Sequence, residues 1–178
     1  MANLMLFYVG AVLFCNGLWI LGKIGDNEIA VIDFFVGALG ILVAVHAALG
    51  GNAWFGAQIF LFAFTYIWVS LNRYNGADGR GLGWFCLFVA ISALPIGLWQ
   101  LATSGGQLWP LWLAINWISW AVLWFMFFLL LALQKEKIGR LTGWLTLIQG
   151  IYTGWIPGWL LLAVGLLLFA FAWPGFTR

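Results

Sequence analysis

Six runs of about twenty apolar residues, parted only by short polar turns, constrain this chain more than any other feature. They fall at about 3–22, 29–48, 54–72, 83–102, 108–134 and 142–172. About twenty apolar residues, at 1.5 Å rise each, cross the hydrocarbon core of a bilayer. Inside lipid every backbone N–H and C=O must be satisfied within the protein, which for such runs means α-helix. Only 7% of the 178 residues are charged and 65% are hydrophobic, with mean hydropathy +1.06. Soluble domains carry about 25% charge. The expected fold is therefore an all-α membrane protein, one polytopic domain over residues 1–178 with no room for a soluble domain. No Lys or Arg precedes the first run, where a cleavable signal peptide would be basic, so residues 4–21 read as a permanent first helix.

Charge predicts orientation. Lys23 lies in the first turn, Arg73 and Arg80 in the third, and Lys135, Lys137 and Arg140 in the fifth. The second and fourth turns carry no cation, and Arg178 stands alone on the other side. The positive-inside rule makes the odd turns cytoplasmic and puts both termini outside. The helices then group as three hairpins, each with its charged turn inside, and Phe34-Phe35-Val36-Gly37-Ala38 resembles Phe88-Val89-Ala90-Ile91-Ser92. This suggests a threefold parallel repeat. The last run, at about 30 residues, would reach about 45 Å, longer than one straight crossing. Trp155-Ile156-Pro157-Gly158-Trp159 is the expected kink.

Within the fifth run, Trp117, Trp120 and Trp124 stand at i, i+3 and i+7, on one helix face. An interfacial belt does not need a column that deep. Two readings follow: a packing face between helices, or an aromatic wall along a narrow pore. The polar candidates within the runs are Asn16, Thr65, Tyr66, Ser92, Asn116, Ser119, Gln149, Tyr152 and Thr153. For each, a helix–helix hydrogen bond competes with a functional role. Asp26, Glu28, Asp78 and Glu136 sit in or beside charged turns, and Asp33 is expected to snorkel to the interface or pair with a cation. A coupled transporter needs an ionisable group at mid-membrane. Its apparent absence favours passive flux of a neutral solute.

Other classes are disfavoured. A net charge of +2 is too small for nucleic-acid binding. Cys15 and Cys86 read as small buried thiols, and the single histidine, His46, has no evident partner. No metal, haem or nucleotide site and no catalytic set is legible, so neither enzyme nor cofactor is expected. A narrow slot of aromatic and small residues with a few neutral hydrogen-bonding groups would strip an ion of its hydration without replacing it. A flat neutral molecule such as urea or a short amide loses less, as would ammonia or water.

Several ordered motifs then carry a family resemblance. Leu6-Phe7-Tyr8-Val9-Gly10-Ala11-Val12-Leu13 with Asn16-Gly17, Ala30 to Gly37, Phe62-Ala63-Phe64-Thr65-Tyr66, Leu87 to Ala90, Trp117 to Trp124 and Gly154-Trp155-Ile156-Pro157 together resemble the AmiS/UreI family of bacterial urea and short-chain amide channels. The resemblance implies a homohexamer in the bacterial cytoplasmic membrane, six helices per protomer and a pore within each. It implies pore residues at Leu6, Val9, Leu13, Phe62, Tyr66, Trp117, Trp120, Leu123 and Trp124. Where acid-activated members have a pore glutamate, this chain has Gln149, a hydrogen-bonder without charge, and its outer turns are short. Those departures, and the stretch Asp78 to Leu87, look like the amidase-associated branch. They imply a channel that is not acid-gated, supplying a cytoplasmic amidase or urea-degrading enzyme. The competing readings are a coupled secondary transporter using Asp33 and a non-conducting structural membrane protein.

Overall fold

A computed structural model describes the backbone of residues 2–172 and the side-chain surroundings of residues 2–165. Arg178 lies outside the described residues. Helices α1 (Ala2–Ile20), α2 (Asp26–Leu49), α3 (Ala53–Asn75), α4 (Arg80–Thr103) and α5 (Leu108–Phe127) are followed by α6 (Gly139–Gln149) and α7 (Ile156–Ala172). Together they make six spans long and apolar enough to cross a membrane, and no strand occurs among the described residues. The side chain of Asn52 accepts the Phe55 N–H and caps α3, while Gly76 ends that helix at φ 64°. A left-handed φ is one that glycine adopts without strain.

The fifth and sixth spans are not plain α-helix. Phe128–Ala132 continues α5 as π-helix, and Gly150–Trp155 joins α6 to α7 in the same way. The second distortion precedes the expected proline kink. Pro157 has no N–H to give to the carbonyl four residues back, that of Thr153. The strain is relieved upstream, where Ile156 N–H reaches back to the Ile151 carbonyl. The Asn116 amide approaches the Thr153 carbonyl at 3.5 Å.

Burial reveals a threefold register. A shift of 53 residues carries buried Met5, Val9, Gly10, Val12, Leu13 and Gly17 of α1 onto buried Gln58, Phe62, Ala63, Thr65, Tyr66 and Ser70 of α3. A shift of 58 carries these onto Asn116, Trp120, Ala121, Leu123, Trp124 and Phe128, all buried, in the fifth span. The even-numbered spans repeat likewise: Asp33, Val36, Gly37 and Gly40 correspond to Cys86, Val89, Ala90 and Ala93, then to Thr146, Gln149, Gly150 and Thr153. That register sets Phe35-Val36-Gly37 on Phe88-Val89-Ala90.

Within this repeat, packing is tightest between successive units: α2 on α3, α4 on α5 with its π-helical end, and the sixth span on α1. These seams run backbone to backbone. A Cβ on Gly10 would lie 2.0 Å from Trp155 N, and one on Gly97 would lie 3.0 Å from Ile118 N. Small residues permit such approach where lipid supplies no hydrophobic drive between helices.

Candidate functional site

The register brings unequal side chains to equivalent places. Val9, Phe62 and Trp120 form one set, and Leu13, Tyr66 and Trp124 the next, one turn nearer the charged loops. Beside them is a cavity of about 80 Å³, several times the roughly 10–15 Å³ that one water needs. Its walls include Leu13, Phe62, Tyr66, Leu82, Cys86, Trp120, Leu123 and Trp124, and it reaches Trp19, Asn72, Arg73 and Leu131 at the charged-loop end.

Six of the ten residues anticipated from sequence border this cavity: Leu13, Phe62, Tyr66, Trp120, Leu123 and Trp124. Leu6, Val9, Trp117 and Gln149 do not. Trp117 packs instead on Phe62, with ring centroids 5.8 Å apart, and on Trp120 at 5.4 Å. Phe62 also meets Trp120 at 4.9 Å and Trp124 at 4.7 Å, edge to face in each case. The tryptophan column is thus packing at its first member and cavity wall at the other two. Cys86 is buried in the wall, whereas Cys15 is only half-buried on α1. His46 is exposed in the last turn of α2.

The polar groups divide into satisfied and unsatisfied ones. Trp120 Nε1 donates to Thr153 Oγ1 at 3.0 Å, and Thr153 Oγ1 donates to the Gln149 carbonyl. Gln149 Nε2 donates to the Ser119 carbonyl at 3.1 Å, tying the sixth span to the fifth. Thr65 and Ser92 donate to carbonyls within their own helices. The expectation for Asp33 is overturned. It meets no cation among the described residues and does not reach the surface; it is fully buried and accepts from Asn16 Nδ2 at 3.1 Å. The reason is helix register: α2 begins at Asp26, so Asp33 sits two turns in, on the face toward α1. Among the described residues, four atoms on cavity-lining side chains are buried without a hydrogen-bond partner: Asn16 Oδ1, Tyr66 Oη, Asn72 Nδ2 and Arg73 Nε; Asp33 Oδ2, Asn116 Oδ1 and Gln149 Oε1, on residues outside the lining, are likewise unpartnered.

At the charged-loop end Asp26 gathers two partners. Trp19 Nε1 donates to it at 2.6 Å, and Arg73 approaches at 3.5 Å while lying 5.2 Å from the centre of the Trp19 ring. Sequence reasoning placed Arg73 in a loop, but α3 continues through Asn75, which makes Asn72 and Arg73 part of the cavity rim. In the neighbouring loop, the Arg80 backbone N–H and guanidinium beside Asp78 hold its carboxyl below the usual carboxylate range.

The cavity's lining is mainly apolar. Aromatic rings and aliphatic side chains dominate it, with a few polar side chains and the guanidinium-bearing side chain of Arg73 among them. Among the described residues there is no cluster of His, Cys, Asp or Glu that could hold a metal ion.

Residues 1–165 match the family described as AmiS/UreI family transporter. The chain is 40% identical over 168 residues to a putative amidate substrates transporter protein of Mycolicibacterium smegmatis, covering 92% of this chain and 77% of that one. It is 36% identical over 194 residues to the acid-activated urea channel of Helicobacter pylori, covering 90% and 97%. The cryoEM structure of the Helicobacter pylori urea channel in its closed state superposes with a TM-score of 0.82 at 36% identity, covering 92% of this chain and 98% of that one.

Proposed function

The chain belongs to the AmiS/UreI family of transporters, and from that premise we propose that it is a passive channel for urea and short-chain amides, with the pathway inside each protomer. It is a multi-pass protein of the bacterial inner membrane, and its relatives are channels and transporters, not enzymes. The observation that carries the proposal is the cavity. Its lining sets the rings of Phe62, Trp120 and Trp124 beside Asn16 and Tyr66, each of which carries a hydrogen-bonding atom without a partner. An ion there would lose hydration without replacement, whereas a neutral amide keeps much of its hydrogen bonding. Leu6, Val9 and Trp117 belong, in this reading, to the same pathway beyond the cavity, and Gln149 fixes the sixth span against Ser119.

The proposal includes no acid gate. A switch between about pH 5 and pH 7.5 needs groups that titrate there; the turns at 50–52 and 104–107 contain none, and His46, just before the first of them, is the chain's single histidine. It further includes a homohexamer embedded in lipid, odd loops in the cytoplasm, both termini outside, and a cytoplasmic amidase or urea-degrading enzyme that consumes the solute. The test is osmotic shrink–swell of proteoliposomes in urea and in acetamide at both pH values. Entry well above that of protein-free vesicles, changing by less than about tenfold with pH, is expected. Entry equal to bare lipid for both solutes would refute the channel, and a larger pH effect would refute the absence of a gate.

Buried Asp33 favours a second reading, coupled transport. Under that reading Asp33→Asn would keep downhill entry but lose uphill accumulation. The leading proposal expects no uphill accumulation in either protein.

A further inference from the structure

Asn16 and Asp33 make a buried pair across α1 and α2, 17 residues apart in sequence. Asn16 is 5% exposed and Asp33 0%. A side-chain amide has one donating end and one accepting end. Here the donating end is engaged, Nδ2 on Asp33 Oδ1, and the accepting end, Oδ1, has no partner. Asn16 lines the cavity, as does Tyr66, whose hydroxyl also lacks a partner. A buried polar atom left without a partner is costly, so its persistence calls for an explanation such as a ligand. In the repeat, Asp33 corresponds to Cys86 and Thr146, so the carboxyl belongs to one unit only and breaks the threefold pattern where Asn16 is held.

We infer that Asp33 is a positioning residue: by taking an Asn16 N–H it fixes the amide so that Asn16 Oδ1 is left to accept an N–H from a planar amide or urea in the cavity, with the Tyr66 hydroxyl available to that solute's carbonyl oxygen. This rests on the channel reading and deepens it. Asp33 touches no solute. It acts through Asn16, and what it sets is selectivity for solutes that carry an N–H. A solute of equal composition whose nitrogen bears no hydrogen leaves Asn16 Oδ1 buried and unpaired, and a site built around a polar group rejects such an analogue.

The test uses the full chain in proteoliposomes with two isomeric solutes, propanamide and N,N-dimethylformamide, each entry rate corrected for protein-free vesicles. The wild type is expected to favour propanamide. Asp33→Ala lowers the propanamide-to-dimethylformamide ratio about fivefold, the worth of one neutral hydrogen bond. Asp33→Asn, whose side-chain oxygen can accept the same Asn16 N–H, restores the ratio to within about twofold of wild type. Asn16→Ala lowers it as far as Asp33→Ala, and the double variant falls no further, since the two residues act as one unit. A ratio that stays at the wild-type value in Asp33→Ala overturns the inference, as does a double variant that falls well below either single one. Should Asp33→Ala not assemble, an unchanged ratio in Asn16→Ala overturns it equally. Wild-type entry of neither isomer above bare lipid refutes the channel reading and this inference with it. Normal wild-type entry with ratios indifferent to both substitutions refutes this inference alone.

Discussion

Gly10→Ala puts the close seam between α1 and the sixth span to a quantitative test. The added Cβ would stand 2.0 Å from Trp155 N and 2.6 Å from Gly154 C, against 3.4 Å for the near edge of ordinary contact. The shortfall, 3.4 less 2.0, is 1.4 Å, and the atoms it meets are backbone, which cannot rotate aside. The helices must part by that much at this level. By the same measure a Cβ on Gly150 would stand 2.6 Å from Phe14 N, and those on Gly154 and Gly158 would stand 2.5 Å from Gly10 and Phe7, along the same line, so parting at one level loosens all. A radial gap of about 0.5–1 Å already forfeits a quarter to a half of each dispersion contact. The expected cost is about 3 kcal/mol, the upper end of overpacking penalties. For a chain this long that corresponds to a fall in Tm of about 6–12 °C. The assay is thermal unfolding in detergent, followed by tryptophan fluorescence. Gly139→Ala is the control, since its Cβ would meet only Leu130 Cδ1 at an ordinary 3.7 Å. A Gly10→Ala protein that melts within about 2 °C of wild type, less than the shift of a single kcal/mol, would refute the reasoning.

Thr153→Val keeps the shape but removes the acceptor of Trp120 Nε1, and should cost about 1–2 kcal/mol in the same melt; a loss below about 0.3 kcal/mol would mean the indole finds another partner. Trp124→Ala opens the cavity wall, and should raise entry of butanamide relative to urea, read by shrink–swell; an unchanged ratio would remove Trp124 from the pathway. Because Asp78 is held below the usual carboxylate range, whatever its contacts with Arg80 contribute is present above the unfolded value of 3.8 and disappears only as pH falls through the still lower folded value. Melting curves of wild type and Asp78→Asn should therefore differ by the same amount at about pH 5 and pH 7.5, and a difference that vanishes at pH 5 would contradict that assignment.

Hydropathy runs and turn residues were enough to read six spans, because lipid leaves the backbone so few options. The spacing of Trp117, Trp120 and Trp124 was enough to place them on one face. It could not say that Trp117 would turn to Phe62 while the other two bordered a cavity, since that depends on which helix stands opposite. Asp33 was illegible for the same reason. Its partner lies on another helix, and a carboxylate near the start of an apolar run ordinarily signals an interface. Pro157 was visible, but the relief of its missing donor appears in the preceding six residues, which carry no signal of their own. Arg73 was lost to the cavity by ending α3 at the first charge, although the helix runs on to Asn75.

The packing of α1 on the sixth span has a consequence for how the protein is made. Chains are synthesised from the N-terminus, and early segments associate as they appear. Here α2 meets α3, and α4 meets α5, soon after each emerges, but the helix that matches the glycine face of α1 is the sixth span. The first helix must wait in the bilayer through most of translation with Gly10 and Gly17 open to lipid or to other helices. Assembly thus closes only when the sixth span arrives against the first. A ribosome stalled before residue 139 would release a chain whose first helix has met α2 but whose glycine face still lacks its partner, a face that a membrane quality-control protease can read as the mark of an unfinished molecule.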